Sequence, residues 1–143
     1  MPCLLAEKCG GCRYRDLDEL SYRRLKQNNF AASLKFLQSN SYILNKPEFI
    51  ADGSRRRAVF NFSYQRQKLL FGFNARGSHQ IADIQSCLSL TPLLNEALPF
   101  IRQLLEALCR EPYSIKKGRK ILSQNISGGD VFVCEAANGV DIV

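Results

Sequence analysis

Hydrophobic and polar positions change period several times along this chain, and each change marks an element. Leu17, Leu20, Leu25, Phe30, Leu34 and Leu37 recur at loosely helical intervals. That spacing predicts a helix over about 16–39, with Asp16 as cap and Glu19 three residues on in a capping-box position. Arg23, Arg24, Lys26 and Lys35 fall on its other faces. Asn45-Lys46-Pro47 breaks the pattern, Phe49-Ile50 reads as a short extended piece, and residues 51–54 as a turn. The period then becomes two. Phe60, Phe62 and Tyr64 alternate with Asn61 and Ser63, which predicts a strand with one polar face. After a polar connection over 65–68, residues 69–73 return as its hairpin partner, and 81–84 make a third short strand.

Thr91-Pro92 is a strong helix start, a hydroxyl cap followed by proline at the first helical position. Leu93, Leu94, Ala97, Leu98, Ile101, Leu104, Leu105 and Leu108 follow at helical spacing, with Pro99 expected to kink or split the run and Pro112 to end it. Lys116, Lys117, Arg119 and Lys120 read as a basic connection, 121–126 as a strand, and Gly128-Gly129 as a turn. Residues 130–135 and 140–143 flank Asn138-Gly139, a dipeptide favoured in tight hairpins. The expected fold is α+β: a central, mainly antiparallel sheet with flanking helices and an N-terminal cysteine-rich cluster loop. The chain stops on Asp141-Ile142-Val143 as if inside a strand, which reads as truncation or a sheet completed by a partner.

At 143 residues, 45% hydrophobic and 23% charged, the chain has the makeup of one globular domain over 1–143. No apolar run approaches the roughly 18 residues that span a bilayer, and the N-terminus lacks the apolar core of an export signal. A membrane partner is not expected, and the cytoplasm is. The net charge of +7 and a pI near 9.3 favour a polyanionic partner, nucleic acid before membrane. Arg55, Arg56, Arg57, Lys116 and Lys117 are the candidate phosphate contacts.

Six cysteines change the picture most: Cys3, Cys9, Cys12, Cys87, Cys109 and Cys134. With no export signal and a chain long enough to build a core, a disulfide framework is disfavoured. Cys9-Gly10-Gly11-Cys12 is a C-x-x-C whose glycines let the backbone turn tightly and aim N–H groups at sulfur. Cys3 lies within reach, and three clustered thiols call for a fourth ligand from elsewhere. Cys87, at a strand end in a loop, is the best candidate. Cys109, late in a helix, and Cys134, in a strand, read as small buried hydrophobes. From spacing alone, structural zinc and an iron–sulfur cluster stand level, with free thiols or a redox pair behind them.

The spacing Cys3-x5-Cys9-Gly10-Gly11-Cys12 … Cys87, with 74 residues between the last two, resembles the iron–sulfur branch of the S-adenosylmethionine-dependent RNA 5-methyluridine methyltransferases. Supporting stretches are Arg55-Arg56-Arg57-Ala58 before a strand, Gly72-Phe73, Ser78-His79-x-Ile81-x-Asp83-Ile84-x-x-Cys87, and Thr91-Pro92-Leu93-Leu94-Asn95. The likeness covers essentially the whole chain. It implies that Cys3, Cys9, Cys12 and Cys87 ligate a [4Fe–4S] cluster, with zinc as the alternative, and that the partner is RNA, ribosomal by preference.

The chain departs from that family in two ways. Arg15 and Asp16 stand where members usually carry Gln-His. The family's catalytic cysteine, its general-base glutamate and its glycine-rich adenosylmethionine loop lie in a Rossmann-like domain beyond the last residue here, so no catalytic residue is carried over. The expectation is a cluster-bearing, RNA-contacting portion that does not transfer methyl groups alone. It would be a fragment, or one chain of a split enzyme whose partner carries the adenosylmethionine site. A ferredoxin-like electron carrier and a zinc-stapled RNA-binding module are the competing expectations.

Overall fold

The alternating Phe60-Phe62-Tyr64 stretch becomes the middle of a sheet. In the computed structural model, which describes residues 3–35, 43 and 45–143, the elements in chain order are α1 (Glu19–Leu34), β1 (Arg57–Gln65), β2 (Lys68–Asn74), β3 (Ile81–Asp83), α2 (Pro92–Arg110), β4 (Tyr113–Lys117), β5 (Lys120–Gln124), β6 (Gly128–Ala136) and β7 (Gly139–Ile142). Five strands form one sheet in the order β3-β2-β1-β6-β7, and β4-β5 form a second, two-stranded one. Every pairing is antiparallel. This is the expected α+β architecture.

Period-two alternation puts Phe60 and Phe62 of β1 on one face with Leu69 and Phe71 of β2 and Val131 and Val133 of β6, all buried. Register pairs Phe62 with Phe71 and Phe60 with Val131. The Phe60 ring also lies 4.9 Å from those of both Phe71 and Phe73. α2 covers this face with Leu94, Leu98, Ile101, Leu105 and Cys109, and Ile84 and Leu90 complete the core.

Thr91 caps α2, its hydroxyl oxygen accepting from the Leu94 N–H at 3.4 Å while the hydroxyl donates to the Glu135 carboxylate. Pro99 does not split the run, and α2 is one helix through Arg110. Pro99 is exposed, and its ring forfeits a single backbone bond while buried anchors on both sides hold the helix to the sheet. Arg102 adds a polar tie. Its guanidinium donates to the carbonyls of Phe71 at 3.2 Å and Ile84 at 2.5 Å, pairs with Asp83, and lies over the Phe71 ring.

Several boundaries differ from the sequence reading. α1 starts at Glu19, capped by Asp18, whose carboxylate accepts from the Ser21 N–H at 2.9 Å. Asp16 pairs instead with Arg76 at 3.3 Å. α1 buries no residue, Leu20 being 80% exposed and Phe30 53%. Leu37 lies outside the described residues. Phe49-Ile50 joins no strand. The stretch 116–120, expected as a connection, is the end of a hairpin that turns at Gly118, φ +63°. The β1–β2 turn rests on Arg66 and Gln67, both in the left-handed region. Gly128 and Gly129 belong to β6, where a Cβ at Gly128 would stand 2.9 Å from the Phe62 carbonyl oxygen. The β6–β7 register pairs Ala136 with Gly139, so Ala137 and Asn138 make that turn. Cys134, expected to be buried, is exposed, because alternation that buries Val131 and Val133 turns residue 134 to the open face.

Candidate metal centre

Residues 3–17 form a succession of turns zipped onto the end of β2. The Ala6 N–H donates to the Cys3 carbonyl at 3.1 Å and the Cys9 N–H to that of Leu5 at 2.8 Å. Gly10 then donates to the Asn74 carbonyl at 2.8 Å, and Arg76 to that of Lys8 at 3.0 Å. The two glycines are required by packing. A Cβ at Gly10 would lie 2.7 Å from the Asn74 oxygen, and one at Gly11 would lie 2.9 Å from the Phe73 ring. Gly11 also aims its N–H at the Cys9 sulfur, 3.4 Å away.

Cys87 reaches the same place from the other side of the fold. It opens the turn before α2, and Asn95 holds that turn. The Asn95 carboxamide oxygen accepts from the Cys87 N–H at 2.8 Å, while its NH₂ donates to the carbonyls of Cys87, Leu90 and Thr91 at 3.0–3.2 Å. Cys3, Cys9, Cys12 and Cys87 then line one pocket with Leu5, Arg15, Phe73 and Ser89. The pocket is small and open to solvent on one side. All four cysteines are free thiols of intermediate exposure. Among the described residues, no three His, Cys, Asp or Glu side chains are drawn close enough to form a preset metal-binding group. The thiols share a pocket without converging on one point.

The charges around the pocket are uneven. Burial pushes the Cys9 thiol up; the Gly11 N–H opposes this, and the neighbouring Cys12, Cys87 and Cys3 add to it. Burial also raises Cys12, but the Ser89 and Arg15 hydrogen bonds and the Arg55 charge outweigh it, so its pKa falls. The Ser89 hydroxyl lies 3.4 Å from the Cys12 sulfur and accepts from Arg15 at 2.6 Å. Arg15 in turn grips Asp52 through two bonds of 2.6 and 2.7 Å. Arg15 and Asp16, the two departures from the family pattern, therefore both serve as latches, one to Asp52 and one to Arg76. Ser89, Arg15 and Asn95 carried no chemistry in the sequence reading. Only the Thr91-Pro92 helix start hinted at Asn95, which sits on its first turn.

The candidate phosphate contacts are dispersed. Arg55 turns inward, donating to the Gly11 carbonyl at 3.3 Å and lying over the Phe73 ring. Arg56 pairs with Glu135. Arg57 is exposed at the start of β1, and Lys116 is exposed on β4. Lys117 lies in β4, its side chain outside what the structure describes.

No known family model matches the chain. Individual proteins do. It is 33% identical to the 23S rRNA (uracil(1939)-C(5))-methyltransferase RlmD of Marinomonas posidonica over 86 residues, 60% of this chain and 19% of that protein. Identity to the RlmD of Acinetobacter baylyi is also 33%, over 105 residues, 70% of this chain and 22% of that protein. An uncharacterized RNA methyltransferase of Bacillus anthracis is 25% identical over 125 residues, 85% of this chain and 27% of that protein. The chain is related to the RNA uracil-5 methyltransferase family. It spans about a fifth to a quarter of the length of these methyltransferase relatives. Among the described residues, no helix is long and apolar enough to cross a membrane.

Proposed function

We propose that this chain is the cysteine-rich, RNA-contacting part of an RNA uracil-5 methyltransferase, and that Cys3, Cys9, Cys12 and Cys87 hold a [4Fe–4S] cluster. One observation carries the proposal: four thiols, three at the N-terminus and one beyond the central hairpin, line a single pocket. The donor set fits. Four free thiols with a backbone N–H aimed at one sulfur and two arginines nearby suit an anionic iron–sulfur centre. Thiolate ligands also suit zinc, and the relatives' family tips the choice to the cluster.

When bound, the cluster supplies a crosslink, tying the N-terminal turns to the loop before α2. Closing the loop between Cys12 and Cys87 is worth about 4 kcal/mol by the chain-entropy model. No step of methyl transfer is assigned to it. Methylation at uracil C5 needs a nucleophile for C6 and a base for the C5 proton. We assign both, with the adenosylmethionine site, to a catalytic domain or partner chain outside these 143 residues. The RNA-methyltransferase relatives and the net charge of +7 support RNA as the partner. The two RlmD names support ribosomal RNA, and such work belongs in the cytoplasm.

Two assays test this reading. Purified alone, the chain transfers no labelled methyl group from adenosylmethionine to ribosomal RNA, and transfer would overturn the division of labour. Purified without oxygen, it carries iron and acid-labile sulfide in equal amounts. One zinc per chain and no sulfide would replace the cluster with a structural zinc site.

A further inference from the structure

The β4–β5 hairpin stands apart from everything that holds the rest of the molecule together. It is not hydrogen-bonded into the five-stranded sheet. None of its residues whose burial is described is buried, and Tyr113, Ile115, Ile121 and Leu122 all remain substantially exposed. A lone two-stranded ribbon is marginally stable in water. This one also carries an internal cost. Lys116, Lys117, Arg119 and Lys120 crowd its tip, and register sets Lys117 opposite Lys120. Like charges directly across a strand pair repel. No acidic residue occurs from 112 to 129 to relieve them.

Most of the arginines elsewhere are engaged within the fold. Arg15, Arg23, Arg56, Arg76, Arg102 and Arg110 are each ion-paired with a carboxylate. Arg55, the first of the three consecutive arginines, is turned inward onto the Gly11 carbonyl. Among the described residues, Lys116, Arg119 and Lys120 enter no ion pair. Among the described residues, the charge of Lys116, Arg119 and Lys120 is therefore unopposed, and a bound polyanion would neutralise it.

We propose that the β4–β5 ribbon is an arm that grips a double-stranded stem of the RNA, its tip cations on the phosphates flanking the minor groove. This rests on the RNA reading above and gives it a specific surface. Each five-residue strand reaches about 16 Å at roughly 3.3 Å per residue. The minor groove of an RNA helix is wide and shallow, and proteins read it through backbone and shape. Tyr113, Ile115 and Leu122, which register puts on the same face as Lys120, would lie against that groove, and the tip cations would set the salt dependence.

The test uses the full 143-residue chain, loaded with its metal, and two synthetic RNAs: a stem-loop and an unpaired strand of the same length. The double variant Arg119→Gln/Lys120→Gln is expected to bind the stem-loop at least about tenfold more weakly. Its slope of log affinity against log salt should fall by about 1.8, for two lost duplex phosphate contacts. Circular dichroism and metal content should stay unchanged. As a check that needs no variant, the stem-loop should shield Lys120 of the unaltered protein from acetylation while leaving Lys8 and Lys68 reactive. Unchanged affinity and slope, or no shielding, would overturn the ribbon as the arm. Equal affinity for the unpaired strand would overturn the stem as its target. If the unaltered chain binds neither RNA, the RNA reading itself falls, an outcome distinct from both.

Discussion

Asn95 shows how much at the cysteine pocket depends on single side chains. Its carboxamide makes four hydrogen bonds around the Cys87 turn. Asn95→Ala leaves the Cys87 N–H and the Leu90 carbonyl to find other partners, the Cys87 and Thr91 carbonyls keeping the backbone N–H groups of Leu90 and Asn95, and a loss of about 2 kcal/mol is expected from net values near 1 kcal/mol per bond. Metal retention should weaken with it. Asn95→Asp keeps the acceptor for the Cys87 N–H and loses the donor, so denaturant titration should place it between wild type and Asn95→Ala. Gly10→Ala is expected to destabilise by about 1–3 kcal/mol, because its Cβ would press on the Asn74 carbonyl. A thermal scan showing no shift for Gly10→Ala would contradict the packing described. The C-x-x-C glycines were visible in the sequence as turn formers near sulfur. That they are also fixed by contact with Phe73 and Asn74 depends on which strand lies beneath them, and local spacing carries no such information.

Among the elements, α2 was the most legible and α1 the least. Thr91-Pro92 and the leucine spacing located α2 within a residue, yet they could not tell its two apolar stripes apart. Leu94, Leu98, Ile101 and Leu105 are buried, while Leu93, Phe100, Leu104 and Leu108 are exposed. Leu98→Ala should therefore cost about 2–5 kcal/mol and Phe100→Ser far less, a contrast that equilibrium unfolding of the two variants measures. For α1, both Asp16 and Asp18 were chemically able to cap, and Arg76 decides the matter by engaging Asp16. The Ser21 hydroxyl and N–H hold the Asp18 carboxyl below its usual 3.8. A lowered folded pKa means that the capping contribution is complete above about pH 3.8 and is lost as pH falls through that lowered value. The difference in helical ellipticity between wild type and Asp18→Ala should accordingly be full above about pH 3.8 and shrink on acidification below it. A constant difference across that range would remove the carboxylate from the cap. Of the β4–β5 hairpin only the second strand was expected, over 121–126; β4 was missed because the hairpin buries nothing, and period-two alternation is a record of burial.

Across the whole molecule, two groups of contacts hold the N-terminal turns to the sheet. One is protein alone: the Gly10–Asn74 and Arg76–Lys8 backbone bonds, and the Arg15–Asp52 pair. The other is the proposed cluster. The four cysteines were legible as a set because their spacing matched a family pattern. The structure brings the same four to one pocket and leaves Cys109 in the core and Cys134 on the open face. The most direct measurement is iron and acid-labile sulfide per chain, on protein purified without oxygen, for wild type, Cys87→Ser and Cys109→Ser. About four of each in wild type and in Cys109→Ser, with most of both lost in Cys87→Ser, is the expected result. Equal iron and sulfide in Cys87→Ser and wild type, or none in either, would contradict a cluster held by these four thiols.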